Sequence, residues 1–306
     1  MAFTLFDLTL GAHDYVGTVT YGVSSAGSTI ELKDQTESSA HADDQFNNGT
    51  LFFVQSTNAS IEQQYRRITD YDASSGQFTF TTLSSAVTTA TQYAVATPEF
   101  NSVMMERLAN DALRSLGPLV YSARAITSSG NQRVYTISTV SAAGGSGTFG
   151  KYSRPFRIDI QGRTGSSADN PDWVQLYGWH IEPTTAGTGV NIVFPRYLPA
   201  GRDVRVFYED HHAYTSASTA RIDERIHPEL AILALVDKMY QYRNSRSRGA
   251  QEFDIQRWND SKRQLAEARV RWPIYRQKRT PDILIVGDGG SEGGGSIGAP
   301  PYGNIE

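Results

Sequence analysis

The sequence predicts an α+β fold, with a helical-bundle framework and two antiparallel β-modules inserted into it. Three observations predict this. Two helical patterns follow one another between Ile226 and Trp272, and a third covers Phe100–Leu116. On either side of that third helix lie long stretches rich in Thr, Val, Tyr and Phe, broken by turn residues. The framework is assigned to residues 1–13, 98–118 and 220–280, with helices near 100–116, 228–244 and 252–272. The β-modules are 14–97 and 119–210, and 281–306 is an extended C-terminal tail.

In chain order, residues 3–12 are a short apolar lead of one or two helical turns, with Gly11 as its end. Val16–Tyr21, Thr29–Leu32, Thr50–Val54, Tyr65–Asp70, Gln77–Phe80 and Gln92–Val95 are candidate strands. Asn48-Gly49 and Ser75-Gly76 are turn signals between them. Together they read as a small antiparallel barrel or sandwich. The helix at 100–116 is bounded by Pro98 and Gly117-Pro118, and places Phe100, Met104, Leu108, Ala112 and Leu116 on one stripe. One helix between two β-modules cannot bury that stripe alone, so the helices at 226–272 are its expected partners.

The second β-region has candidate strands at Arg133–Ile137, Phe156–Gln161, Trp173–Leu176, Trp179–Glu182, Asn191–Phe194 and Val204–Tyr208. Its Gly/Ser/Asp-rich stretches Ser141–Gly150 and Gly162–Asn170 read as mobile loops. Trp173, Tyr177 and Trp179 make it aromatic-rich. Core and interface packing explains them, and a carbohydrate platform is the sharper alternative.

The helix opening at Pro228 has Leu230, Leu233, Leu235, Met239 and Tyr240 among its apolar residues and only a narrow polar strip at Asp237, Lys238 and Gln241. Such a helix must be covered on more than one side. The next helix is amphipathic, with Ile255, Trp258, Leu265 and Trp272 on one stripe and Pro273 as its stop. The short run Ile283–Val286, including Ile285, could add a strand to a partner's sheet. The Gly-rich end from Gly287 reads as flexible in isolation.

Charge is unevenly spread. Residues 221–280 hold 14 Lys/Arg against 8 Asp/Glu, residues 1–220 hold 14 against 20, and residues 281–306 hold 4 acids and no base. Arg243, Arg246 and Arg248 stand in the basic part, which suggests an oriented electrostatic contact. Cysteine is absent, so thiolate metal sites and Cys nucleophiles are excluded. No apolar run approaches a membrane span, and the first residues show no signal-peptide pattern.

No phosphate loop, dinucleotide fingerprint, nucleophile elbow or zinc-protease motif occurs. His211-His212 is the one adjacent histidine pair, a weak basis for a metal site. Asp43-Asp44 and Asp70/Asp72 fit turn caps as well as paired catalytic carboxylates. No enzyme activity, cofactor or metal is expected.

Residues 227–246, HPELAILALVDKMYQYRNSR, resemble the penultimate helix of tailed-phage head–tail connector proteins. The matching positions are Pro228, Ala231, Ile232, Leu235, Tyr240 and Arg243. Most of residues 14–97 resembles a β-module of phage neck and tail proteins. That likeness rests on Gly17, Thr18, Ser28, Thr29, Leu32, Asp34, Asp44, Phe46, Gly49, Leu51, Arg67, Ile68, Tyr71, Gly76, Phe78 and Phe80. The resemblance implies a structural virion protein of the neck, assembled in the host cytoplasm as a homo-oligomeric ring, commonly a dodecamer. It would bind the portal protein and downstream neck or tail proteins, near packaged DNA and away from any membrane. A tail-completion protein is the runner-up. The implied interface residues are Leu230, Leu233, Leu235, Met239, Tyr240, Arg243, Arg246, Arg248, Trp258, Leu265, Trp272, Ile283 and Ile285.

Overall fold

The first helix, α1 (Leu5–Val16), opens with a reciprocal cap. Asp7 accepts from the backbone N–H and the hydroxyl of Thr4, and Thr4 accepts from the Asp7 N–H. The helix runs past Gly11 and ends at Gly17, in the left-handed conformation at φ 73°. Gly11 is therefore not a stop. A Cβ there would lie 2.9 Å from Ile232 Cδ1, so the missing side chain lets α1 approach a later helix closely.

These coordinates come from a computed structural model. It describes residues 2–274, except 38–39, 138–139, 142–147, 150–153, 163–171, 185–189 and 247–251. Most of both predicted mobile loops and all of the tail lie outside the described residues, as do Arg248, Ile283 and Ile285.

Seven strands follow α1: β1 (Val19–Val23), β2 (Ala26–Gly27), β3 (Glu31–Lys33), β4 (Thr50–Gln55), β5 (Gln64–Asp72), β6 (Gln77–Phe80) and β7 (Gln92–Ala96). They pair antiparallel in the order β1-β7-β4-β5-β6-β3-β2. The two ends of that order are consecutive in sequence. At the bend between them, the Ser24 N–H still donates to Thr91 O, while the Ser25 N–H donates to Lys33 O. One bent strand thus supplies both edges, and the sheet closes into a barrel with no free edge at that seam. Alternation does the rest. Phe78 and Phe80 of β6 point inward with Leu51, Phe53, Ile68, Tyr71, Tyr93 and Val95.

Asp34 is buried at the β3 end of this barrel. Burial alone would raise its carboxyl, but it accepts from the Thr36 N–H and hydroxyl, the Tyr93 hydroxyl and the Val23 N–H. These bonds outweigh burial and hold it below the usual carboxylate range. The acid pairs serve turns. Asp72 accepts from the Ser74 N–H and from the Ser74 and Ser75 hydroxyls, and Asp43 accepts from the Ala73 N–H.

After a 3₁₀ turn at Pro98–Phe100 comes α2 (Ser102–Ser115), capped by Asn101, whose side chain accepts from the Met104 N–H. Its buried face is Met105, Leu108, Ala109, Ala112 and Leu113, with Val103 71% exposed. Phe100, Leu108, Ala112 and Leu116 of the expected stripe are buried, and Met104 is partly buried against the same cluster.

Then come β8 (Leu119–Thr127), β9 (Val134–Ile137), β10 (Val140–Ser141), β11 (Thr148–Phe149), β12 (Arg154–Gln161), β13 (Trp173–Leu176), β14 (His180–Pro183), β15 (Val190–Val193) and β16 (Asp203–Asp210). They form a four-stranded sheet, β13-β12-β16-β8, a three-stranded sheet, β14-β15-β9, and a short β10-β11 ladder. After β16 come α3 (Pro228–Arg246) and α4 (Glu252–Arg271).

The expected helical-bundle framework is not what forms. Sixteen strands accompany four α-helices among the described residues, and the architecture is mostly antiparallel β. The helices do pack on one another, but they close no core of their own. One buried cluster joins Leu8, Leu108, Leu113, Leu235 and Met239 of the helices to Ile158, Ile192, Val204 and Val206 of the second β-region. Sequence periodicity shows which face of a helix is apolar, not what covers it. Here helix and sheet share that task, and Met1–Arg276 make one compact unit.

The outer wall of the barrel is tied in through α1. Phe6 packs on Phe52, Ala94 and Ala96. His13 is fully buried, with ring centroids 5.6 Å from Phe52 and 6.4 Å from Phe100, and its Nδ1 lies 2.8 Å from Thr18 Oγ1. Burial lowers its pKa to about 4. The unfolded chain therefore takes up this proton first. The stability from the neutral ring is complete above pH ~6.5 and is lost as pH falls toward about 4, up to roughly 3 kcal/mol. Melting temperatures measured across that window should fall more steeply for the native protein than for His13→Gln. Parallel curves would show that His13 does not titrate on unfolding.

Candidate partner-binding surface

Leu230, Leu233, Leu235, Met239 and Tyr240 of α3 are all buried inside the subunit. They hold α3 against α1, α2 and α4, and are not available to a second molecule. The narrow polar strip of α3 has a definite use. Asp237 accepts from Trp258 Nε1 at 2.9 Å and from Gln241 Nε2 at 3.0 Å. Glu229 accepts from Trp272 Nε1 at 2.9 Å and pairs with Arg271 at 3.2 Å. The indole of Trp258 in α4 and that of Trp272 just beyond it thus meet two carboxylates of the antiparallel α3. His227 stacks on Trp272 at 3.8 Å.

The inner face of α4 is Trp258, Ser261, Leu265 and Ala268, with Trp272 at its rim. Sequence reading placed Ile255 on this stripe, but it is exposed, and it missed the buried Ser261 and Ala268, whose small side chains allow close packing. The outer face carries Arg257, Lys262, Arg263, Glu267, Arg269 and Arg271, with Val270 82% exposed among them. Lys262 Nζ sits 3.4 Å from the centroid of the Trp258 ring.

The arginines of α3 differ in use. Arg243 is half-buried and donates through Nε and Nη2 to both oxygens of Glu99, each at 2.6 Å, pinning the end of α3 to the 3₁₀ turn that precedes α2. Arg246 is exposed and lies 4.7 Å over the Tyr242 ring. An open cleft of about 260 Å³ lies where the ends of α2 and α4 meet the start of α3, between Ser115, Leu116, Leu230, Arg269, Trp272 and Ile274.

The other candidates have structural uses. His212 is buried, with Nδ1 2.7 Å from Ala213 O and Nε2 accepting from the Asp223 N–H, so both nitrogens are occupied. His211 is exposed. Among the described residues no three His, Asp or Glu side chains could hold a metal, and no helix is long and apolar enough to cross a membrane. The three aromatic side chains differ in their surroundings. Trp179 packs on the core and Trp173 stacks on Arg205, while Tyr177 is exposed.

No protein-family model, curated protein or solved structure matches this chain.

Proposed function

We propose that the protein is a structural component of the neck of a tailed-phage virion. It is a head–tail connector that assembles as a homo-oligomeric ring beneath the portal and joins capsid to tail without catalysing a reaction. The observation that carries this reading is the outer face of α4, a 20-residue helix. It is anchored through one face and presents arginines and exposed Val270 on the other. On that face Arg263 pairs with Asp260 at 3.4 Å, Arg271 pairs with Glu229 of α3 at 3.2 Å, and Lys262 lies over the Trp258 ring. The resemblance of residues 227–246 to connector helices supports the same reading.

A surface ion pair is worth only about 0–1 kcal/mol, but a ring repeats each contact in every subunit. Complementary charge mainly raises the rate of encounter. Arg246→Glu with Arg269→Glu should slow association with portal rings about tenfold and flatten its dependence on salt. Arg67→Glu, on the barrel, should do neither. Equal effects from both changes would remove the electrostatic argument. Failure to copurify with portal, or a location outside the neck in particle images, would overturn the connector reading.

A further inference from the structure

The outward face of the four-stranded sheet holds an arrangement separate from α4. In the β12–β16 register, Arg157 stands opposite Phe207 and Asp159 opposite Arg205. Side chains two apart on a strand share a face, so these four make a square away from the core. Arg157 Nε donates to Asp159 Oδ1 at 2.8 Å, and Arg205 Nη2 donates to Asp159 Oδ2 at 3.1 Å. Both guanidiniums lie over the Phe207 ring, at 5.2 Å and 4.7 Å, and Arg205 also lies 4.4 Å over Trp173. Asp159 is completely buried beneath them, although it points away from the core.

Two guanidiniums around one carboxylate leave one positive charge in excess. No described residue accepts from the two Nη groups of Arg157, whose side chain is 37% exposed. The Nε–H of Arg205 is buried and no acceptor among the described residues meets it. Asp159 and the aromatic rings fix the two forks in place, so little side-chain freedom is lost when an oxyanion arrives.

We propose that Arg157 and Arg205 form a binding site for the carboxylate of an acidic protein segment. A discrete carboxylate is favoured over a nucleic-acid backbone because the surrounding β-region has no extended basic field. Residues 119–210 hold nine Arg/Lys and seven Asp/Glu. Flanking aromatic rings with arginine are also the composition of protein-binding hot spots. The site stands independently of the neck reading.

The test is calorimetric titration of the full-length protein with a hexaglutamate peptide, and separately with inorganic phosphate. The peptide should bind, and Arg157→Lys should weaken it about tenfold while leaving the melting temperature unchanged. Lysine keeps the charge and can still pair with Asp159, but it lacks the fork. Arg205→Lys should weaken it similarly. Absence of peptide binding, binding indifferent to Arg157→Lys, or a lowered melting temperature in that variant would overturn the proposal and leave a structural ion network. Phosphate binding as tightly as the peptide, with the same loss, would overturn the assignment to a carboxylate.

Discussion

Leu235→Asp leaves the chain unfolded at 25 °C. Leu235 is 0% exposed at the centre of α3, within the cluster that joins all four helices to the second β-region. The substitution removes a buried aliphatic side chain, at about 2–5 kcal/mol. It also places a carboxylate among buried apolar side chains, which costs several kcal/mol more or forces protonation. The sum is comparable with the whole stability of a domain, about 5–15 kcal/mol. Circular dichroism and limited proteolysis of the purified variant check this. A cooperative transition near the native melting temperature would mean that this face of α3 is not packed as described. Leu235→Ala leaves no charge and should give a folded but less stable protein, separating cavity from charge.

Gly49→Val should destabilise the barrel by roughly 3 kcal/mol or more. A Cβ at Gly49 would lie 2.3 Å from Ala96 O and 2.8 Å from Phe46 O. Both obstacles are backbone atoms. Ala96 belongs to β7, which is paired on both sides with β1 and β4, so its carbonyl cannot move without disturbing two ladders. Chemical denaturation should show a lowered midpoint with β-rich structure lost first, and Gly49→Ala should lie between native and valine. A variant as stable as the native protein would show that the turn before β4 can shift freely. The left-handed backbone of this turn belongs to its neighbour, Asn48, at φ 69°, so the demand on Gly49 is one of space.

Asn48-Gly49 shows how far local chemistry reaches. The dipeptide marks a turn, and a turn is there, but the reason for the glycine lies in a strand more than forty residues away. Gly11 is a similar case. A glycine in an apolar run reads as a helix end, and only the approach of Ile232 shows why α1 continues through it. The Arg157–Asp159 and Arg205–Phe207 spacings were visible as sequence, but nothing local showed that the two strands lie side by side.

What the sequence determined by itself is the set of elements whose signals are contained within them. The expected helices at 228–244 and 252–272 correspond to Pro228–Arg246 and Glu252–Arg271, because Pro228 and Pro273 bound them and apolar spacing marks their faces. The strands Gln77–Phe80 and Trp173–Leu176 stand where alternation and turn residues place them. Tertiary structure alone decided that one bent strand closes the barrel, that His13 lies neutral between Phe52 and Phe100, and that the helices share one buried cluster with the second β-region. Periodicity records that a face must leave water. The hydrophobic effect has no direction, so which surface meets that face is settled only when distant segments pack together.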